Sequence, residues 1–203
     1  MRKTKSNNRS TRRTRAAIRS ALLEVMERKP LSEITIQEII DQANVCRTTF
    51  YAHFSDIYDL LDDVGNEIID EVSEKLKSIH YTLEQENSYP TINAVVEIYA
   101  KHASTIRLLN SSNGDPMFDQ RMQSRIYEVT REVRMQYEGS AFHDQRHQIY
   151  SYYVIGGGIN LLNHILRENK PFDTEFMGLL LGKMAASAEK TFLQEERLDL
   201  TKE

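Results

Sequence analysis

Between Thr35 and Phe54 the chain reads TIQEIIDQANVCRTTFYAHF, which leaves room for little except two short helices joined by a tight turn. Thr35 is suited to N-cap a first helix whose Ile36, Ile39 and Ile40 share one face, with Gln37, Glu38 and Asp41 turned outward. The turn falls at Ala43-Asn44-Val45, where Asn44 is one of the few residue types besides glycine that tolerates a left-handed backbone. A second helix from Cys46 to Phe54 places Phe50 and Phe54 on one side and leaves Arg47, Thr48, Thr49, Tyr51 and His53 to other faces. Such a helix, cationic and rich in hydroxyls, suits the major groove of DNA, where Arg, Thr and Tyr side chains bond phosphates or base edges. Periodicity alone equally allows an ordinary helical hairpin with a wet polar face.

The order of residues goes further. From Ile34 to Leu61, ITIQEIIDQANVCRTTFYAHFSDIYDLL resembles the helix-turn-helix of the tetracycline-repressor (TetR) family, in which an ITV-type helix, an A-G-V-type turn and a TFY-x-HF recognition helix run into a long fourth helix. The resemblance implies operator contacts from Arg47, Thr48, Thr49, Tyr51 and His53, with Thr35 and Gln37 bonding backbone phosphates from the preceding helix. One position departs from the pattern: many members carry a lysine near the start of the fourth helix that meets a phosphate, and Ile57 stands there.

Charge supports the same division. The 203 residues carry a net charge of −4, yet residues 1–54 hold eleven Lys and Arg against five Asp and Glu, a balance of +6, and the remainder balances at −10. A basic head on an acidic body assigns polyanion binding to the N-terminus, a split that an enzyme acting on small molecules does not need. The single cysteine, Cys46, excludes an intrachain disulfide and a cysteine-built zinc site. No apolar run of about 18 residues is present, so no membrane span is expected. The basic start lacks the apolar stretch of a secretory signal, and a cytoplasmic location is expected.

Taken in order, Met1–Ser10 is polar, basic and aperiodic. It reads as a flexible arm whose Arg2, Lys3, Lys5 and Arg9 follow DNA, or as a solubilising tail. Thr11–Glu27 is a helix with Ala17, Ile18, Ala21, Leu22, Val25 and Met26 inward. Arg12, Arg13, Arg15 and Arg19 cluster in its first half, against the helix dipole, for which a nearby phosphate backbone is one reason. Asp56 caps a long helix from Ile57 to about His80, buried along Leu60, Leu61, Val64, Ile68, Ile69, Val72 and Leu76. At about 1.5 Å per residue it spans more than 30 Å, enough to join a head to a body. A linker at Gln85–Pro90 precedes helices at Thr91–Lys101, Ala103–Leu109 and Met117–Tyr137, with the loop NSSNGDP at Asn110–Pro116 and another around Gly139. The helix Gln145–Asn169 contains Gly156-Gly157-Gly158, each glycine costing about 1 kcal/mol relative to alanine, which points to close backbone approach or a kink beside a cavity. After Pro171 and Asp173, a last helix at Thr174–Leu193 carries a small-residue face of Gly178, Gly182, Ala185 and Ala186, a candidate dimer seam flanked by Phe176, Leu179, Leu180, Leu181 and Met184.

The second half has its own resemblance. LLNSSNGDPMF and YYVIGGGINLLNHILRENKPFDTEFMGLLL look like the regulatory domain of a Gram-positive branch of the TetR family that includes the activator of dihydroxyacetone kinase operons. Members of that branch often have a tryptophan in the LLNHIL region, and this chain has none.

The fold expected is all-α, about nine helices: a three-helix DNA-binding domain over residues 1–55 and a helical ligand-binding and dimerisation domain over 56–203. Tyr99, Phe118, Met122, Tyr127, Tyr150 and Tyr153 are candidate pocket residues, with ordinary core packing as the other reading. His143 and His147 are spaced as a metal pair on a helix, but no third ligand is evident and His80, His102 and His164 are scattered, so no metal is assigned. No P-loop, Gly-x-Ser-x-Gly elbow or His-Glu-x-x-His occurs, so no catalytic residue and no cofactor are assigned. Cys46 heads the recognition helix, where the helix N-terminus and Arg47 favour the thiolate; it reads either as oxidation-sensitive or as a small residue that fits the turn. The expected function is a homodimeric repressor on a near-palindromic operator of double-stranded DNA, released by a small-molecule effector. The alternative is an activator controlled by a protein partner.

Overall fold

The structure is a computed structural model that describes residues 3–79, 89–138, 145–168 and 173–194. All regular structure among the described residues is helical: α1 (Lys3–Met26), a 3-10 turn (Leu31–Glu33), α2 (Ile36–Ala43), α3 (Arg47–Tyr51), α4 (Ile57–Lys77), α5 (Tyr89–Lys101), α6 (Ala103–Leu109), α7 (Phe118–Glu138), α8 (Gln145–Arg167) and α9 (Thr174–Gln194). The chain divides into two compact units. A head comprises residues up to Glu67 with Arg107–Phe118; a body comprises Ile68–Ile106 with the residues from Asp119 on.

In the head, α1 packs on α2 and α2 on α3. Ile18, Ala21, Leu22, Val25 and Met26 of α1 meet Ile39, Ile40, Phe50 and Phe54 in one core, all buried. Ala17, expected inward, is exposed. The helix begins at Lys3 instead of Thr11, because nothing from Lys3 to Ser10 is a proline or glycine that would stop the backbone from continuing the helix. The start of α4 is capped as its sequence predicts: Asp59 N–H donates to Asp56 Oδ1 at 2.8 Å, and Ser55 N–H donates to Asp59 Oδ2 at 2.8 Å. Every residue of the predicted apolar stripe of α4 is buried. In the loop after α6, Gly114 is required, since a Cβ there would stand 2.1 Å from the Leu109 carbonyl oxygen.

In the body, α9 packs against both α5 and α8. Glu71 ties α4 to the α5–α6 junction, accepting from Lys101 Nζ at 2.6 Å and lying 2.8 Å from His102 Nε2. Arg125 Nε donates to the buried Ser73 Oγ at 2.9 Å. Asn163 Nδ2 donates to Asp119 Oδ1 at 2.8 Å, joining α8 to α7. Two expectations change here. The triple glycine lies within a continuous α8, and a Cβ at Gly157 or Gly158 would meet nothing, so no close backbone approach explains it; Gly157 and Gly158 do lie beside a cavity, as the other reading expected. On α9 the small-residue face turns inward: Gly178, Gly182 and Ala185 are buried and Ala186 half-buried, while Phe176, Leu179 and Met184 are exposed. A helix apolar on most of its surface gives no sequence signal as to which face the protomer covers. Of the expected linker Gln85–Pro90, Tyr89 and Pro90 instead open α5, and α4 ends at Lys77, short of the expected His80; residues 80–88, the loop around Gly139, His143 and Pro171 lie outside the described residues.

Candidate functional site

The helix-turn-helix is built from local interactions. Thr35 caps α2 in a reciprocal box: Glu38 N–H donates to Thr35 Oγ1 at 3.3 Å, and Thr35 N–H donates to Glu38 Oε2 at 2.9 Å. Lys29 Nζ donates to both Glu38 oxygens at 2.7 Å, and these bonds, with those from Thr35, hold the Glu38 carboxyl down at about 2. At the other end Asn44 takes φ 51 and ψ 50, the left-handed conformation the sequence predicts, and Val45 N–H donates to the Ile40 carbonyl at 3.0 Å to close the turn.

The α3 helix is shorter than predicted, Arg47–Tyr51, although Phe54 N–H still donates to the Phe50 carbonyl at 2.9 Å and carries a helical bond past its end. Phe50 and Phe54 are buried with ring centroids 6.0 Å apart, and they anchor this segment in the head. Arg47, Thr48 and Tyr51 are exposed, with the Arg47 guanidinium 6.0 Å from the Tyr51 ring centroid; Thr49 and His53 are half-buried. Thr35 and Gln37 are also exposed, but their polar groups have structural tasks. The Thr35 hydroxyl donates to Glu38 at 2.8 Å, and Gln37 Nε2 donates to Asp41 Oδ1 at 2.9 Å.

Cys46 is the residue just before α3. Its Sγ lies 3.0 Å from both the Thr48 and Thr49 hydroxyls, and these hydrogen bonds lower the thiol to about 7. The sequence credited Arg47 and the helix end with this effect, but the neighbouring hydroxyls dominate it.

The arginines of α1 divide into two sets. Arg15 and Arg19 face Asp63 of α4: Arg15 Nη2 donates to Asp63 Oδ1, Arg19 Nε donates to Asp63 Oδ2 at 2.5 Å, and Arg19 Nη1 lies 2.7 Å from Glu67 Oε2. Burial alone would raise the Asp63 carboxyl, but Arg19 and Arg15 outweigh it and hold it below the ordinary carboxylate value. The reason found for these two cations is therefore an internal acid, not a phosphate. Arg9, Arg12 and Arg13 remain exposed.

The body contains a cavity of about 360 Å³, open to solvent on one side, between α5, α7, α8 and α9. Of the six predicted pocket residues, Tyr150 and Tyr153 line it. Tyr99, Phe118 and Met122 are fully buried packing residues outside its walls, and Tyr127 stacks on Tyr152 at 4.4 Å in a separate groove. Tyr150 Oη donates to the Ala185 carbonyl at 3.3 Å, while Tyr153 and Met184 are exposed and mark the mouth. Sequence reasoning missed Thr130 and Arg134, which line the cavity from α7. An arginine on an amphipathic helix reads as solvent-facing, so no sequence signal singled it out. Among the described residues no three His, Cys, Asp or Glu side chains converge to hold a metal, and no helix is long and apolar enough to cross a membrane.

A helix-turn-helix head in one chain with an all-helical body that contains an apolar cavity defines a class: the one-chain DNA-binding transcriptional regulator. Residues 18–64 match the family model described as "Bacterial regulatory proteins, tetR family", and residues 86–187 match "Transcriptional regulator C-terminal region". The chain belongs to the TetR family of transcriptional regulators, which are DNA-binding proteins and not enzymes. Among solved structures, the TetR transcriptional regulator from Streptococcus agalactiae 2603V is similar over 89% of this chain and 97% of its own, with a TM-score of 0.61 and 19% identity, a likeness of fold. No curated protein matches the chain.

Proposed function

We propose that this regulator is a homodimeric repressor in which residues 1–55 carry DNA binding and residues 56–203 carry regulation and dimerisation, a functional division that does not coincide with the two compact units. Each head enters one of two successive major grooves of a near-palindromic operator through Arg47, Thr48, Thr49, Tyr51 and His53. The observation that carries this is the two-sided α3: Phe50 is sealed in the core while Arg47, Thr48 and Tyr51 stand in solvent. Thr35 and Gln37 are weaker candidates for the backbone, because a phosphate would compete with Glu38 and Asp41 for their donors. Exposed Arg9, Arg12 and Arg13 of α1 are the better phosphate partners. A small-molecule effector in the body cavity shifts α4, separates the two heads and releases the operator. The protein acts in the cytoplasm, where its DNA is.

The dimer seam is formed by exposed apolar side chains of α8 and α9, Ile149 and Tyr152 on one helix and Phe176 and Leu179 on the other. It takes the place of the small-residue face of Gly178, Gly182, Ala185 and Ala186, which the protomer itself mostly covers.

The test is operator affinity by fluorescence anisotropy after selecting bound sequences from a random oligonucleotide pool. Arg47→Ala is expected to weaken binding about tenfold to a hundredfold, the worth of one good base contact, with an unchanged circular dichroism spectrum. An unaltered affinity overturns the placement of α3. The resemblance of LLNSSNGDPMF and the run beginning YYVIGGGINLL to the Gram-positive branch with the kinase-operon activator supports a second reading, an activator triggered by a protein partner. A stabilising small ligand found by thermal shift favours the first reading; a co-purifying protein with no such ligand favours the second.

A further inference from the structure

The body cavity carries a charge pattern that selects a class of ligand. Its walls are largely aliphatic, with Val95 and Val96 from α5, Leu161 and Leu162 from α8 and Leu181 from α9. Among the described lining residues one side chain is ionic, Arg134, and it is 9% exposed. Arg134 is already engaged, with Glu189, which is not part of the wall, 3.4 Å from its Nη2, so a ligand's acceptor would join or displace an existing partner. One turn earlier on the same face of α7, Thr130 also lines the cavity, and its buried Oγ1 has no hydrogen-bond partner among the described residues. The polar spot thus offers a hydroxyl and a guanidinium, and a carboxylate, which only accepts, complements both. A cationic ligand would face Arg134, and a purely apolar one would leave the Thr130 hydroxyl unmet. At about 360 Å³ the space is at the small end of ligand sites, enough for one hydrocarbon chain.

We infer that the cavity binds an anionic amphiphile, a medium-chain carboxylate with its tail against α5, α8 and α9 and its head on Thr130 and Arg134. This rests on the effector reading above and specifies its ligand. The test is titration calorimetry of the full chain with decanoate, decan-1-ol and decyltrimethylammonium, each below its micelle concentration. Decanoate is expected to bind about tenfold or more tightly than the alcohol, and the ammonium not measurably. Arg134→Met and Thr130→Val each reduce the preference for decanoate over the alcohol. Glu189→Gln raises decanoate affinity, because it removes a carboxylate that competes for Arg134, and a gain of this kind cannot come from misfolding. Equal binding of the three probes, no decanoate binding, or no effect of Glu189→Gln and Arg134→Met overturns the inference. Operator release is measured separately. Decanoate that binds without releasing DNA upholds the ligand assignment and overturns the effector reading, whereas release by an uncharged ligand with no decanoate binding does the reverse.

Discussion

At Cys46 two threonine hydroxyls within 3.0 Å of the sulfur stabilise the thiolate at the edge of the proposed groove-binding surface. With the thiol at about 7, alkylation by iodoacetamide is expected to reach half its maximal rate near that pH, and bound operator is expected to slow it. A midpoint near pH 9 would remove the role of Thr48 and Thr49. Asp63 works in the opposite sense, inside the head, as the acid that two α1 arginines share. Asp63→Asn is expected to lower stability by about 1–2 kcal/mol in urea unfolding, less than a fully buried pair would lose because Arg15 is 40% exposed and screened. Because the folded carboxyl is held below its ordinary value, this contribution is present above the ordinary carboxylate pKa and is lost as the pH falls through the lower folded value. A wild-type and Asp63→Asn difference that persists unchanged into strong acid would contradict the pairing.

Among the elements, α2 and α8 solve opposite problems. The eight-residue α2 is too short to stand alone and depends on its ends, the Thr35–Glu38 box and left-handed Asn44. With Glu38 held at about 2, against an ordinary 4.5, its charged form keeps the box and the Lys29 pair until the pH falls below that ordinary value, and both fade as it approaches 2. The 23-residue α8 instead tolerates three consecutive glycines that no neighbour demands. Gly158→Ala adds a methyl that meets nothing within 4 Å, so it is expected to stabilise the chain by up to about 1 kcal/mol, a rise of roughly 2–4 °C in melting temperature. A fall in melting temperature would mean that a second copy approaches this backbone.

For the whole molecule, the informative surface is the one left uncovered. Tyr152 at 63% exposure on α8, and Phe176 at 58% with Leu179 on α9, are large apolar side chains left in solvent on an acidic body. Leu179→Glu is expected to convert a dimer to a monomer in sedimentation equilibrium, with loss of binding to the full operator and little change in helix content. A variant that sediments as a dimer places the seam elsewhere.

Short-range chemistry made the head legible before any coordinates. A cap three residues from its glutamate, an asparagine at a left-handed turn and phenylalanines four apart act within one or two turns of chain, so their spacing in the sequence is their geometry. The capping of α4, its buried stripe and the bounds of α6 followed from the same locality. Tertiary structure decided what depends on distant partners: that Arg15 and Arg19 answer Asp63, more than forty residues away, that α9 buries its glycines and exposes Phe176, Leu179 and Met184, and that Thr130 and Arg134 share a cavity with α5 and α8. Periodicity states that a residue lies on a face; which neighbour covers that face is fixed only when the helices pack.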